Sequence, residues 1–261
     1  MIQYIQMKDL KKSLRDCIGC PNKNNGFTLV ELMLAMGFAS VLLIAIAMTV
    51  IQISNIYNRG ITLKEVNEAG RTIVSELQKN VNGNESFRLN SCSFSVNVAP
   101  SCNFVDTTST GLWGGRLCIG SYSYIWNNGN TINSTTPAYI NKYTSASSVK
   151  IRFVKVLDPS ADYCVHSSKN IILADAVELL NSSQHDLAIH GFTISSLISD
   201  SRTGQSINNI SFLIGTNVPL TINYTPGSDP RCKLPNEAGA DQAYCSINKF
   251  NILTRAGSVS G

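Results

Sequence analysis

The chain is poor in the side chains that do chemistry. Among its 261 residues there are three histidines, His166, His185 and His190. His185 and His190 stand five apart, which matches neither H-E-x-x-H nor another zinc spacing. The run Ser183-Gln184-His185-Asp186 places Ser, His and Asp side by side, but a catalytic triad is assembled in space. No G-x-S-x-G elbow accompanies it, so the run reads as a polar turn. No glycine-rich phosphate loop occurs either. These absences argue against an enzyme, and no cofactor or metal site is expected. Gly 18 and Pro 8 are ordinary totals and do not suggest disorder.

Charge is also scarce, and in one place it is missing altogether. The run Leu32 to Ile51 contains no Asp, Glu, Lys or Arg. At a rise of ~1.5 Å per residue, a helix over that run matches a hydrocarbon core of ~30 Å. One carboxylate, Glu31, stands at its entrance. An acid beside a membrane span is costly and marks a functional position by default. Before it, Lys8, Lys11, Lys12, Arg15 and Lys23 face only Asp9 and Asp16. That segment therefore carries +3 of the chain's +4, and +1 remains for everything else. The basic flank predicts an N-terminus held in the cytoplasm with the rest sent outward. The near-neutral remainder gives no electrostatic case for a nucleic-acid site.

A secretory signal peptide would have an apolar region of about 7–15 residues followed by a small-residue cleavage site. The run here is longer, and its acid sits at the opposite end. A plain membrane anchor explains the length and the basic flank, but not an acid five residues after Gly26. The junction Gly26-Phe27-Thr28-Leu29-Val30-Glu31, followed by the apolar run, resembles that of the type IV prepilins. Each of the six residues fits the family pattern of a basic leader ending in Gly, then Phe-Thr-Leu-(Val or Ile)-Glu.

The resemblance implies a history for the chain. A membrane-embedded prepilin peptidase would cut between Gly26 and Phe27, and the new amine of Phe27 would be N-methylated. Gly before the cut leaves no side chain to obstruct the protease. Glu31 would pair with the terminal amine of a neighbouring subunit and set register during assembly. A Glu31 that merely reaches the headgroups is the competing account. Other pilin subunits, the peptidase/methyltransferase, the inner-membrane assembly platform and, before assembly, membrane lipid are the implied partners. The implied location is the cytoplasmic membrane, in a single pass, and then an extracellular pilus. A large mature head fits a minor pilin that starts or caps filaments, adheres, or serves DNA uptake. A type II secretion pseudopilin shares this N-terminus, and a membrane-anchored extracytoplasmic binding module is the runner-up from another class.

The expected organisation is α+β: one long N-terminal helix, transmembrane in its first half, packed on an antiparallel sheet. Residues 1–26 are a leader, whose true start is Met1 or Met7. Residues 27–53 are the transmembrane and polymerising half of the helix, 54–82 its amphipathic half, and 83–261 a β-rich head. Ile53, Ile56, Leu63, Val66, Ile73, Val74 and Leu77 form the predicted buried stripe. Gly60 and Gly70 each weaken the helix by about 1 kcal/mol and allow a bend. In the head, Arg116–Trp126, Ile151–Leu157, Leu187–Ile198, Ile207–Ile214 and Ile247–Leu253 read as strands. Asn127-Asn128-Gly129-Asn130 reads as a hairpin turn, and 171–180 as strand or helix. Asp175 and Glu178 interrupt that last apolar run, and one of them is expected to be buried with a partner.

Cys17 and Cys20 lie in the leader, as a C-x-x-C without a second ligand pair nearby. Cys92, Cys102, Cys118, Cys164, Cys232 and Cys245 lie beyond the span, where export favours disulfides. Six cysteines allow fifteen pairings. Short loops favour Cys92–Cys102 and Cys232–Cys245, which leaves Cys118–Cys164. The loop closed by Cys232 and Cys245 resembles, in layout, the C-terminal disulfide-bounded loop of pilins.

Overall fold

A computed structural model describes residues 26–83, 91–93, 104–106, 114–132, 151–165, 176–180, 185–200, 202, 205–225 and 228–256. The chain divides into two compact units, Met1–Gln52 and Ile53–Gly261. Helix α1, Leu29–Asn82, is 54 residues long and begins in the first unit. It is long and apolar enough to cross a membrane. Every described residue of the first unit is exposed, including the whole uncharged run. Such a surface is what a helix surrounded by lipid presents.

In the second unit α1 becomes one-sided. Thr62, Val66, Gly70, Ile73, Leu77 and Val81 are buried, at steps of three and four that keep one face inward. The predicted stripe is corrected at its start, because Ile53 is 67% exposed, Ile56 72% and Leu63 43%. The buried line passes through Thr62 instead of Leu63. The helix runs unbroken through Gly60 and Gly70. Gly70 serves packing: a Cβ built there would lie 2.1 Å from the Phe250 ring. The absent side chain lets the ring rest on the helix backbone.

That face covers two sheets. The first holds β1 (Ser91–Ser93), β2 (Phe104–Asp106), β3 (Gly114–Ile119), β4 (Tyr122–Asn127), β5 (Phe153–Leu157) and β6 (Ala176–Glu178), in this order. All neighbours are antiparallel except β1 and β2, which are parallel. Two short strands, β9 (Ile222–Asn223) and β10 (Arg231–Cys232), pair antiparallel. The second large sheet is antiparallel, ordered β11 (Ile247–Ala256), β8 (Ser206–Thr216), β7 (Leu187–Ser199). Helix and antiparallel sheets together make the fold α+β.

The six-stranded sheet is covered on both faces. Leu117, Tyr124, Trp126 and Phe153 join the core with Val66, Ile73 and Leu77 of α1 and with Phe192 and Phe212 of the second sheet. Trp126 stacks on Phe192 at 4.2 Å between ring centroids. On the other face Ile125, Ile151, Val154, Val156 and Tyr163 form a smaller core. Double coverage explains why all six residues of β3 are buried, where a one-sided strand would alternate.

The hairpin within Arg116–Trp126 closes elsewhere than predicted. Ile119 pairs with Tyr122 around a two-residue turn, Gly120-Ser121, with φ of 56° at Gly120. Positive φ at the first turn residue matches the right-handed twist of the strands and selects Gly. Asn127-Asn128-Gly129-Asn130 instead leads from β4 into a single helical turn, Gly129–Ile132. Asn127 and Asn128 donate from their side-chain amides to the carbonyls of Ile151 and His190, so tertiary bonds use what a turn would have used.

Candidate functional site

The start of α1 is organised by Thr28 and Glu31. Gly26, Phe27 and Thr28 are not helical, and Thr28 is the cap. Its backbone N–H and its hydroxyl each donate to Glu31 Oε2 at 3.0 Å. In return the Glu31 N–H donates to Thr28 Oγ1 at 3.3 Å. This reciprocal arrangement is a capping box, which satisfies backbone donors that a helix start leaves free. The carboxylate also lies at the positive end of the helix dipole. Thr28 was not singled out from the sequence, although T-x-x-E before an apolar run is a legible signature.

Around that cap the surface is open and apolar. Phe27 is 77% exposed, and nothing lies within 4 Å of the Cβ position of Gly26. The Gly26–Phe27 peptide bond lies ahead of the first helical residue, Leu29. Leu32, Met36, Val41 and Ile44 are among the large apolar residues displayed beyond it. Chemically, the site offers one acceptor with a negative charge, embedded in a surface that water disfavours.

Polar ties fasten the second half of α1 into its unit. Glu76 Oε1 receives the Lys155 ammonium of β5, with Asn80 Nδ2 at 2.7 Å and the Tyr124 hydroxyl at 3.2 Å. The bond from Lys155 holds the Glu76 carboxyl below the usual carboxylate range. About three turns before it, Glu65 Oε2 lies 2.8 Å from His185 Nδ1, while Thr62 Oγ1 lies 3.3 Å from His185 Nε2. Asp186 is paired with Arg152 and accepts from Asn217 Nδ2 at 3.0 Å. His185 and Asp186 thus face different partners, Glu65 and Thr62 for the one and Arg152 and Asn217 for the other. Ser183 lies outside the described residues, as does His166.

His190 is buried with both ring nitrogens engaged. Nε2 lies 3.1 Å from the Thr216 carbonyl and must donate, so Nδ1 accepts from the Tyr224 hydroxyl at 2.9 Å. Burial pushes its pKa down to about 4. Glu178 accepts from the N–H groups of Phe153, Leu180 and Arg152, and burial pushes its carboxyl up. Asp175 lies outside the described residues. Arg116, buried in β3, donates to the Tyr163 carbonyl at 2.6 Å, and desolvation brings it down to about 10. It remains charged at neutral pH, beside Asp158. Among the described residues no three His, Cys, Asp or Glu side chains gather as a metal site.

Among the described residues two disulfides are present. Cys118 of β3 joins Cys164, and Cys232 joins Cys245. Cys92 lies in β1, while Cys102 lies outside the described residues together with Cys17 and Cys20. Within the loop closed by Cys232–Cys245, Glu237 takes two bonds from Arg231, at 2.9 and 3.0 Å, and one from the Leu234 N–H. Those donors hold its carboxyl down at about 2. No protein-family model, curated protein or solved structure matches the chain.

Proposed function

We propose that this chain is a pilin-like subunit, a minor pilin that is processed at Gly26–Phe27 and polymerises through the first part of α1. The observation that carries the reading is the fully exposed, uncharged start of a helix with a single carboxylate at its entrance. A helix meant only as a soluble core element would bury one face of that run. The six-residue junction at Gly26–Glu31 supports the same reading. In it, Glu31 awaits the terminal amine of a neighbouring subunit, with Thr28 satisfying the carboxylate meanwhile. The head, covered on both faces of its larger sheet and stapled by disulfides, suits an extracytoplasmic location.

The test is mass spectrometry of the mature N-terminus from cell envelopes. The expected chain begins at Phe27 and carries one added methyl group. A chain that begins at Met1 or Met7 removes the basis for processing.

A further inference from the structure

A cleft of about 350 Å³ lies between the start of α1 in the second unit and the disulfide-bounded loop. Asn55, Ile56 and Arg59 line it from the helix, and Ala240, Asp241, Gln242 and Ala243 from the loop. It brings together one guanidinium and one carboxylate that form no ion pair with each other. Among the described residues Arg59 has no hydrogen-bond partner, and Asp241 Oδ1 accepts only from the Ala243 N–H at 3.1 Å. Both are exposed.

Position along the sequence says what reaches such a cleft. Arg59 is the first charged residue after Glu31. The 27 residues between them would span about 40 Å as a helix, the depth of a bilayer with its headgroups. With Glu31 at one interface, Arg59 falls at the headgroups of the other. Tyr57 and Tyr244, 67% and 45% exposed, are of the type that collects at that level. Asn58 Nδ2 donates to the Tyr244 hydroxyl at 3.1 Å, so helix and loop meet there.

We propose that this cleft binds the headgroup of a zwitterionic phospholipid with a primary ammonium, phosphatidylethanolamine. Arg59 takes the phosphate, whose oxygens match the guanidinium fork. Asp241 takes the ammonium, which donates up to three hydrogen bonds. A choline headgroup has the same charges but no N–H to donate. A glycerol headgroup satisfies Arg59 but offers Asp241 only neutral hydroxyls, whose bonds lack the charge assistance of an ammonium. The proposal rests on the reading of α1 as a membrane span.

The experiment uses the full chain reconstituted in vesicles with equal parts of phosphatidylethanolamine, phosphatidylcholine and phosphatidylglycerol. Flotation establishes insertion, and native mass spectrometry then counts retained lipids. Phosphatidylethanolamine should be retained roughly tenfold over phosphatidylcholine, the ratio expected from one charge-assisted bond. Asp241→Asn should bring retention to the bulk ratio, Arg59→Gln should lower the retention of all three lipids, and Asp241→Glu should keep the preference. Flotation with unselective retention, or variants that behave as wild type, would overturn the headgroup site alone. Failure to float would overturn the span and this proposal with it.

Discussion

Glu31 stands in two possible roles that the same substitution usually removes together. It closes a capping box with Thr28, and it places a negative charge at the start of an apolar run. Glu31→Gln separates them, because a capping box accepts Glu or Gln at this position. The amide oxygen can take both Thr28 bonds, each now 3.0 Å long, so the cap is kept. Losing an N-cap outright costs ~0.5–2 kcal/mol, and Glu31→Leu, which keeps the residue-31 N–H bond to Thr28 Oγ1, costs only part of that. The charge is the larger quantity. An acid within an apolar span costs ~2.5–3.5 kcal/mol, less near the interface, and in the proposed assembly a neighbour's amine would relieve it. If about 3 kcal/mol is recovered on assembly, subunit incorporation changes roughly a hundredfold. The assay compares the mass-spectrometric abundance of each variant in sheared filaments with its abundance in the membrane. Glu31→Gln should be cleaved normally and retain its helix by circular dichroism, yet enter filaments about a hundredfold less. Glu31→Leu should fail as badly. Incorporation of Glu31→Gln within about fivefold of wild type would show that the cap matters and the charge does not.

Three further outcomes are expected. Gly60→Ala should stabilise the second unit by up to about 1 kcal/mol, since nothing lies within 4 Å of its Cβ position. Gly70→Ala gains the same propensity but drives a methyl into the Phe250 ring, at ~1–3 kcal/mol, so thermal or urea unfolding should show a net loss. Equal stabilisation at both sites would refute the contact. His190 is depressed in the folded state to about 4, so the unfolded chain takes up the additional proton. Its contribution is complete above the ordinary value of about 6.5 and is lost as pH falls toward 4, by roughly 3 kcal/mol. Glu178, raised by burial, acts in the opposite sense within the carboxylate range, so the comparison is with His190→Gln, which should flatten the slope above it. Finally, Cys118→Ala with Cys164→Ala should cost about 4 kcal/mol and Cys232→Ala with Cys245→Ala about 3. The order follows from separations of 46 and 13 residues, and a reversed order in denaturant midpoints would contradict it.

What the sequence made legible, and what it did not, follows the range of each interaction. The uncharged run, Glu31 and the strands of the second sheet depend on neighbours a few residues away. Period and composition therefore reveal them, and Leu187–Ser199 and Ser206–Thr216 lie close to their expected bounds. The Thr28–Glu31 box is as local as these and could have been read from T-x-x-E. The hairpin is a different case. Gly120-Ser121 and Asn127–Asn130 both carry turn chemistry, and only the side-chain bonds of Asn127 and Asn128 to distant carbonyls decide between them.

The stripe on α1 shows the limit most clearly. Ile53, Ile56 and Leu63 obey the same spacing as Val66, Ile73 and Leu77, yet only the latter are buried. Periodicity reports that a helix has an apolar face. It does not report where along that face a sheet begins. Gly70 carries the missing information, because a glycine in mid-helix is costly unless another chain segment needs the space. Phe250 is that segment, 180 residues later, and Glu76 with Lys155 and Glu65 with His185 tie the helix over separations of 79 and 120 residues. A helix that spans two surroundings therefore announces the crossing by what it omits, charge in its first part and a side chain at Gly70 in its second.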